Sequence, residues 1–197
     1  MDKINLRQYL ATNLHVVEND VLEIVEHCTV QQIKKDSFLV RQGEYCRHGF
    51  FVEQGLLRQY SIDEKGKEHI ISFAPEGWFI TDRESVYFNE PARYFIQAYE
   101  NSQIVLLDED FNQLISKKIS NYNTFNTKLL HNHIRHLLKR IDLLLSASAE
   151  ERYLQFVTMY PDILLRVPQT MVASYLGIAP ESLSRVRKDL ARKNFKK

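Results

Sequence analysis

The segment Val172-Ala173-Ser174-Tyr175-Leu176-Gly177-Ile178-Ala179-Pro180-Glu181-Ser182-Leu183-Ser184-Arg185-Val186-Arg187-Lys188 constrains the chain more than any other stretch. It predicts two short helices joined by a tight turn. Gly177 stops the first, because a left-handed backbone costs a glycine little. Pro180 opens the second, since proline at the first helical position loses no bond and pre-sets φ. Val172, Leu176 and Ile178 supply apolar contacts around the turn, and Ala173 is small where the second helix must cross closely. Leu183, Val186 and Leu190 recur at spacings of three and four and share one buried face. Glu181, Ser182, Ser184, Arg185, Arg187 and Lys188 are left facing outward. A helix-turn-helix with such a polar, basic face has the shape that enters a DNA major groove. A hairpin of purely structural use is the alternative, but it does not account for the patterned face.

Charge supports the same reading. The whole chain has 197 residues and a formal net charge of only +1, yet the stretch from Pro180 to Lys197 is basic. It holds Arg185, Arg187, Lys188, Arg192, Lys193, Lys196 and Lys197 against Glu181 and Asp189. A basic end on a near-neutral chain is expected where that end alone meets phosphate. Gln169 and Thr170 open the first helix, where a side chain and backbone N–H groups can hold a DNA phosphate.

The middle of the chain carries a second constraint. Leu130, Ile134, Leu137, Ile141 and Leu144 recur at 4, 3, 4, 3 within a helical stretch from Asn121 to Leu145. That is a coiled-coil seam, narrower than the stripe of a globular surface helix. A lone helix cannot bury it. The same helix from a second copy, related by a two-fold axis, is the economical partner. Packing on the chain's own β domain is the alternative.

Ahead of the seam, Leu6, Leu10, Leu14, Val17, Val21, Ile24 and Val25 predict short helices, with Asn19-Asp20 starting the second. The pattern then shortens. Thr29 to Val40, Phe50-Phe51-Val52, Leu57 to Ile62, Glu68 to Phe73, Tyr94 to Tyr99 and Gln103 to Leu107 read as strands, separated by turns such as Asp63-Glu64-Lys65-Gly66-Lys67. Short strands at this spacing indicate an antiparallel β-roll or barrel, with Phe50, Phe51, Phe73, Trp78, Phe79 and Phe95 as core. Asp108-Glu109-Asp110 places acids at a helix start, and a short helix follows from Phe111 to Lys118. Ser148 and Glu151 form a capping-box pair for a helix running to Tyr160.

Hydrophobic residues make up 44%, enough for a packed core. Cys28 and Cys46 have no metal-type spacing, indicate no disulfide framework, and are too few for an all-cysteine iron–sulfur site within one chain. His131, His133 and His136 do not all share a helix face, and His48 and His69 form no His-x-His pair, so neither a metal nor another cofactor is expected. There is no glycine-rich phosphate loop, HExxH or nucleophile elbow, and an enzyme is not expected. No apolar run spans a membrane, and Met1 to Arg7 lacks a signal-peptide core, so a cytoplasmic location is expected.

The order of parts resembles the Crp/Fnr superfamily of bacterial transcription regulators over nearly the full length. The resemblance is closest in Ala149-Glu150-Glu151-Arg152-Tyr153, in Arg166-Val167-Pro168, in Ala173 to Ile178 and in Pro180 to Arg185, words similar to the Bacteroidetes branch. It implies an α+β fold: an antiparallel, cyclic-nucleotide-binding-like β-roll sensor over 1–120, a dimerisation helix over 121–147 and a helix-turn-helix domain over 148–197. It implies a homodimer on a partly palindromic double-stranded DNA operator, with RNA polymerase and an unidentified small-molecule effector as further partners. Glu181, Ser182 and Arg185 then meet base edges, with Arg185 suited to guanine and Glu181 to cytosine. Arg187 and Lys188 meet phosphates.

Three departures stand out. Ala179 replaces the usual Ser or Thr helix cap. Few residues follow the recognition helix to form a wing. The sensor reads Ile80-Thr81-Asp82-Arg83-Glu84 and Pro91-Ala92-Arg93-Tyr94-Phe95 where cyclic-nucleotide members resemble Gly-Glu-Leu and Arg-Ser-Ala. Arg83 and Arg93 remain as candidate effector-pocket cations, and cyclic AMP is not expected to bind. The competing function is a ligand-binding β-roll whose C-terminal helices mediate protein contacts.

Overall fold

The computed structural model describes residues 5–194. Lys196 and Lys197 of the basic end, and Met1 to Ile4, lie outside the described residues. Two helices, α1 (Leu6–Leu14) and α2 (Glu18–Glu26), precede the sheets. The Asn5 side chain caps α1 by accepting from the Gln8 N–H. The second helix starts at Glu18, one residue before the predicted Asn19-Asp20, because Val17 is already the extended N-cap.

Two four-stranded sheets follow, every pairing antiparallel. The first has the order β1 (Val30–Ile33), β8 (Ser102–Leu107), β3 (Gly49–Gln54) and β6 (Phe79–Ile80). The second has the order β2 (Phe38–Val40), β7 (Phe95–Ala98), β4 (Leu57–Ile62) and β5 (Glu68–Ala74). The predicted Thr29–Val40 strand is therefore two strands in different sheets. Asp36, at φ 66°, turns the chain between them. A short helix α3 (Arg83–Phe88), not anticipated from the sequence, sits in the roll segment between β6 and β7.

Alternation along the strands distributes side chains between two sides. Phe50, Val52, Leu57, Ile96 and Ile104 point between the sheets. Phe51 and Val105 face outward onto α1, α2 and α4 (Glu109–Lys118), which Asp108 caps by accepting from the Phe111 N–H. Trp78, expected in the core, is 37% exposed, although its ring lies 5.2 Å from that of Tyr160.

The long helix α5 (Tyr122–Ser146) leads into α6 (Ala149–Met159), α7 (Ile163–Arg166), α8 (Gln169–Leu176) and α9 (Pro180–Asn194). The Ser148–Glu151 capping box forms at the start of α6. The C-terminal helices do not hold a separate core. Tyr60, Ile70 and Phe73 from the second sheet, with Leu56 just before β4, pack into one cluster with Tyr153, Phe156, Tyr160, Val172, Tyr175, Leu176 and Leu183. The outer face of that sheet is thus buried by the chain's own helices. None of the α5 seam residues belongs to this cluster, and each is at least 40% exposed.

Candidate nucleic-acid interface

The turn between α8 and α9 is built as its residues dictate. Gly177 adopts φ 65° and ψ 35° as the left-handed cap of α8. Its N–H donates to the Ser174 carbonyl at 3.1 Å, and the Ile178 N–H reaches the Ala173 carbonyl at 3.0 Å. Ala173 is 1% exposed and Leu183 is fully buried, so the two helices close on small and apolar contacts. Pro180 is the first residue of α9.

Glu181, Ser184, Arg185 and Lys188 are exposed and lie at helical spacings of three and four, so they share one face of α9. Ser182 and Arg187 are half-buried at the edges of that face. Gln169 and Thr170 are exposed at the first turn of α8. Among the described residues, Arg185, Arg187 and Lys188 form no ion pair or side-chain hydrogen bond. Lys193 differs, because its Nζ is held 2.8 Å from Glu150 Oε1.

Four polar residues that sequence reasoning left in the background brace this unit, three against the roll and one against the end of α5. The Arg166 guanidinium meets both oxygens of Glu76, at 2.8 and 3.1 Å, and both of Glu100, at 3.0 and 2.7 Å. Glu76 follows β5 and Glu100 follows β7, so one side chain ties α7 to two loops of the roll. Hydrogen bonding to Glu100, then to Glu76, raises the Arg166 pKa against the effect of burial. The Ser174 Oγ accepts the Ile70 N–H at 3.0 Å and donates to the Glu68 carbonyl at 3.2 Å, which pairs α8 with strand β5.

Arg140 of α5 donates to the carbonyls of Ile70, Ile71 and Tyr175, and its guanidinium lies 4.0 Å from the Tyr175 ring centroid. Arg152 donates from Nε to the Ala147 carbonyl at 3.2 Å and from Nη1 to the Leu176 carbonyl at 3.0 Å. It thereby links the end of α5 to the helix-turn-helix turn. In sequence these arginines read as surface charges. Only their register against carbonyls from distant strands shows otherwise.

The candidate effector-pocket cations Arg83 and Arg93 lie at and beyond the start of α3. Arg83 and Arg93 are both exposed, with guanidiniums 5.9 Å from the rings of Tyr87 and Tyr94 respectively. Asp82 is 1% exposed. Its Oδ1 accepts the Ser85 N–H at 3.0 Å, and its Oδ2 accepts the N–H groups of Arg93 and Tyr94 at 3.1 and 3.3 Å. Neighbouring Ser85 is also engaged, since its Oγ accepts the Cys46 N–H at 2.6 Å. Cys28 is held as a thiol, because burial and then Asp108 push its pKa to about 11. No cluster of three metal-binding side chains occurs among the described residues.

A model of the cyclic nucleotide-binding domain matches residues 30–118, which are the roll and α4. The chain is 25% identical to the anaerobic regulatory protein of Pasteurella multocida (strain Pm70), over 78% of this chain and 60% of that protein. It is equally similar, at 25%, to the fumarate and nitrate reduction regulatory protein of Vibrio cholerae, over 78% of this chain and 65% of that one. The chain is similar to these regulators, and its roll matches the cyclic nucleotide-binding domain. It spans about three fifths of the length of the curated relatives it matches. The fold is similar to that of FixK2 from Bradyrhizobium japonicum, which superposes with a TM-score of 0.70 at 18% identity over 85% of this chain and 86% of the other. No helix among the described residues is long and apolar enough to cross a membrane.

Proposed function

We propose that this chain is a cytoplasmic transcription regulator of the Crp/Fnr type that binds partly palindromic double-stranded DNA as a homodimer. The observation that carries the reading is the exposed face of α9, where Glu181, Ser184, Arg185 and Lys188 stand together on a helix braced from behind. Arg185 has the geometry to give two hydrogen bonds to a guanine, and Glu181 to accept from a cytosine, with Ser182 beside them. Arg187 and Lys188 serve phosphates, as do Gln169 and Thr170 at the start of α8. RNA polymerase is the further macromolecular partner on this reading. A small-molecule effector would act through the roll.

The dimer is supported by the α5 seam. Leu130, Ile134 and Leu137 are each 43% exposed, Ile141 52% and Leu144 40%, a row of large apolar side chains left half open by their own chain. Two such rows paired about a two-fold axis bury each other and present two α9 helices together.

Cyclic AMP is not the effector on this reading. The Asp82 carboxylate takes the N–H groups of Arg93 and Tyr94, so an internal anion stands where the phosphate-binding segment would act. Calorimetric titration with cyclic AMP is expected to show no binding at micromolar ligand. Micromolar or tighter affinity overturns this part.

The test of the main reading is selection of bound fragments from the host genome, followed by competition with scrambled duplex. Parent protein is expected to retain a pseudo-palindromic site. Arg185→Ala should lose base preference at one position per half-site, a cost of about 1–3 kcal/mol, while keeping its fold because the side chain is exposed. An Arg185→Ala protein as selective as the parent contradicts the assignment.

A further inference from the structure

The α5 repeat places more than its seam. With Leu130, Leu137 and Leu144 at one core position and Ile134 and Ile141 at the other, Leu138 and Leu145 fall on one flank. His133 and Arg140 fall on the opposite flank. In a parallel two-stranded coil, a residue on this second flank faces the first-flank residue five positions later on the other helix. Arg140 therefore faces the partner's Leu145.

Arg140 is also a wall of a cleft between α5, α6 and α8, which it forms with Leu143, Leu144, Phe156, Met159 and Leu176. The cleft is lined mainly by apolar side chains. Its other polar lining includes His136, Lys139 and Arg152, and no acidic side chain. A cationic occupant is thus disfavoured, and an uncharged aliphatic one fits. Within one chain Leu145 is 83% exposed, the most exposed leucine of α5. The register brings an exposed large apolar side chain to an apolar cleft.

We propose that the partner's Leu145 seats in the cleft between α5, α6 and α8, so that each subunit completes the support of the other's helix-turn-helix. This rests on the homodimer proposed above, with its two α5 helices parallel. The cleft abuts the turn itself, since Arg152 bonds the Leu176 carbonyl and Leu144 lies against Gly177. The interface between copies then extends beyond the seam to the element that positions α9.

Disulfide trapping in the full chain tests this. Leu145→Cys on one tagged chain is co-expressed with Gln155→Cys, or with Met159→Cys, on a chain carrying a different tag. Mild oxidation is expected to yield a mixed-tag covalent dimer in at least one pairing. The parent, which carries Cys28 and Cys46, should yield none. Leu144→Cys, at the core of the seam, should cross-link to itself and reports the parallel dimer independently. If Leu144→Cys links and neither mixed pair does, the cleft assignment is wrong and the dimer stands. If Leu144→Cys fails to link as well, both are wrong.

Discussion

Asp82 accepts three backbone N–H groups while 1% exposed, so its charge is shared among fixed donors instead of water. Replacing it with alanine leaves those donors unpaired in a buried site, at an expected cost of about 2–4 kcal/mol. Thermal denaturation should therefore show a lower Tm for Asp82→Ala. Added inorganic phosphate should restore part of the loss in the variant and leave the parent unchanged, because the vacated donors suit an anion. Equal responses would show that the carboxylate does not stand in for one. Glu76 offers a second residue-scale consequence. Burial alone would raise its pKa, but hydrogen bonding from Arg166 and from the backbone N–H groups of Glu76 and Gly55 outweighs burial and holds it below the ordinary carboxylate value. A depressed folded-state pKa contributes stability that is present above the unfolded value and is lost as pH falls through the folded one. The join between α7 and the roll should thus hold at neutral pH and loosen below about pH 4.5. Protease sensitivity near Arg166 as a function of pH measures it, and Glu76→Gln should flatten that dependence.

At the scale of elements, the helices and the turn were the parts most open to sequence reasoning. The stop at Gly177, the start at Pro180 and the Ser148–Glu151 capping box all depend on contacts within a few residues, and all three form. What stayed hidden is what depends on distant chain. The helix α3 has no apolar period of its own and is set by Asp82 at its N-cap. The division of Thr29–Val40 depends on which sheet each half joins. Gly177 shows the local and distant requirements meeting. Its positive φ favours glycine, and an added Cβ would come within 3.2 Å of Leu144 Cδ2. Gly177→Ala is expected to destabilise the protein by roughly 1–2 kcal/mol, since both the backbone and the end of α5 must give. Chemical denaturation with CD detection gives the value. A change near zero would mean the turn and α5 are not in firm contact.

For the whole molecule, the fold class was legible because strand spacing, a heptad seam and a glycine-proline turn occur in that order. The union of roll and C-terminal helices was not. Nothing in the pattern of Tyr153, Phe156, Tyr160 and Tyr175 distinguishes a small private core from one shared with Phe73, and the structure shows the shared one. Candidate base-reading residues could be named from their outward spacing on α9. The arginines that brace it could not, since their partners are carbonyls and carboxylates remote in sequence.

The pairing of Ser174 with β5 has a consequence for handling the protein in pieces. Strand β5 ends its sheet, and an uncovered edge is a template for another strand. α8 occupies part of that edge, with one hydroxyl satisfying both the Ile70 N–H and the Glu68 carbonyl. A fragment ending at Ala147 would lose that guard together with the aromatic cover over Phe73 and Tyr60. It is expected to self-associate through β5 into higher oligomers, visible by light scattering, and a monodisperse fragment would count against a protective role. The C-terminal helices, on this view, also act as the roll's built-in safeguard against sticking to itself.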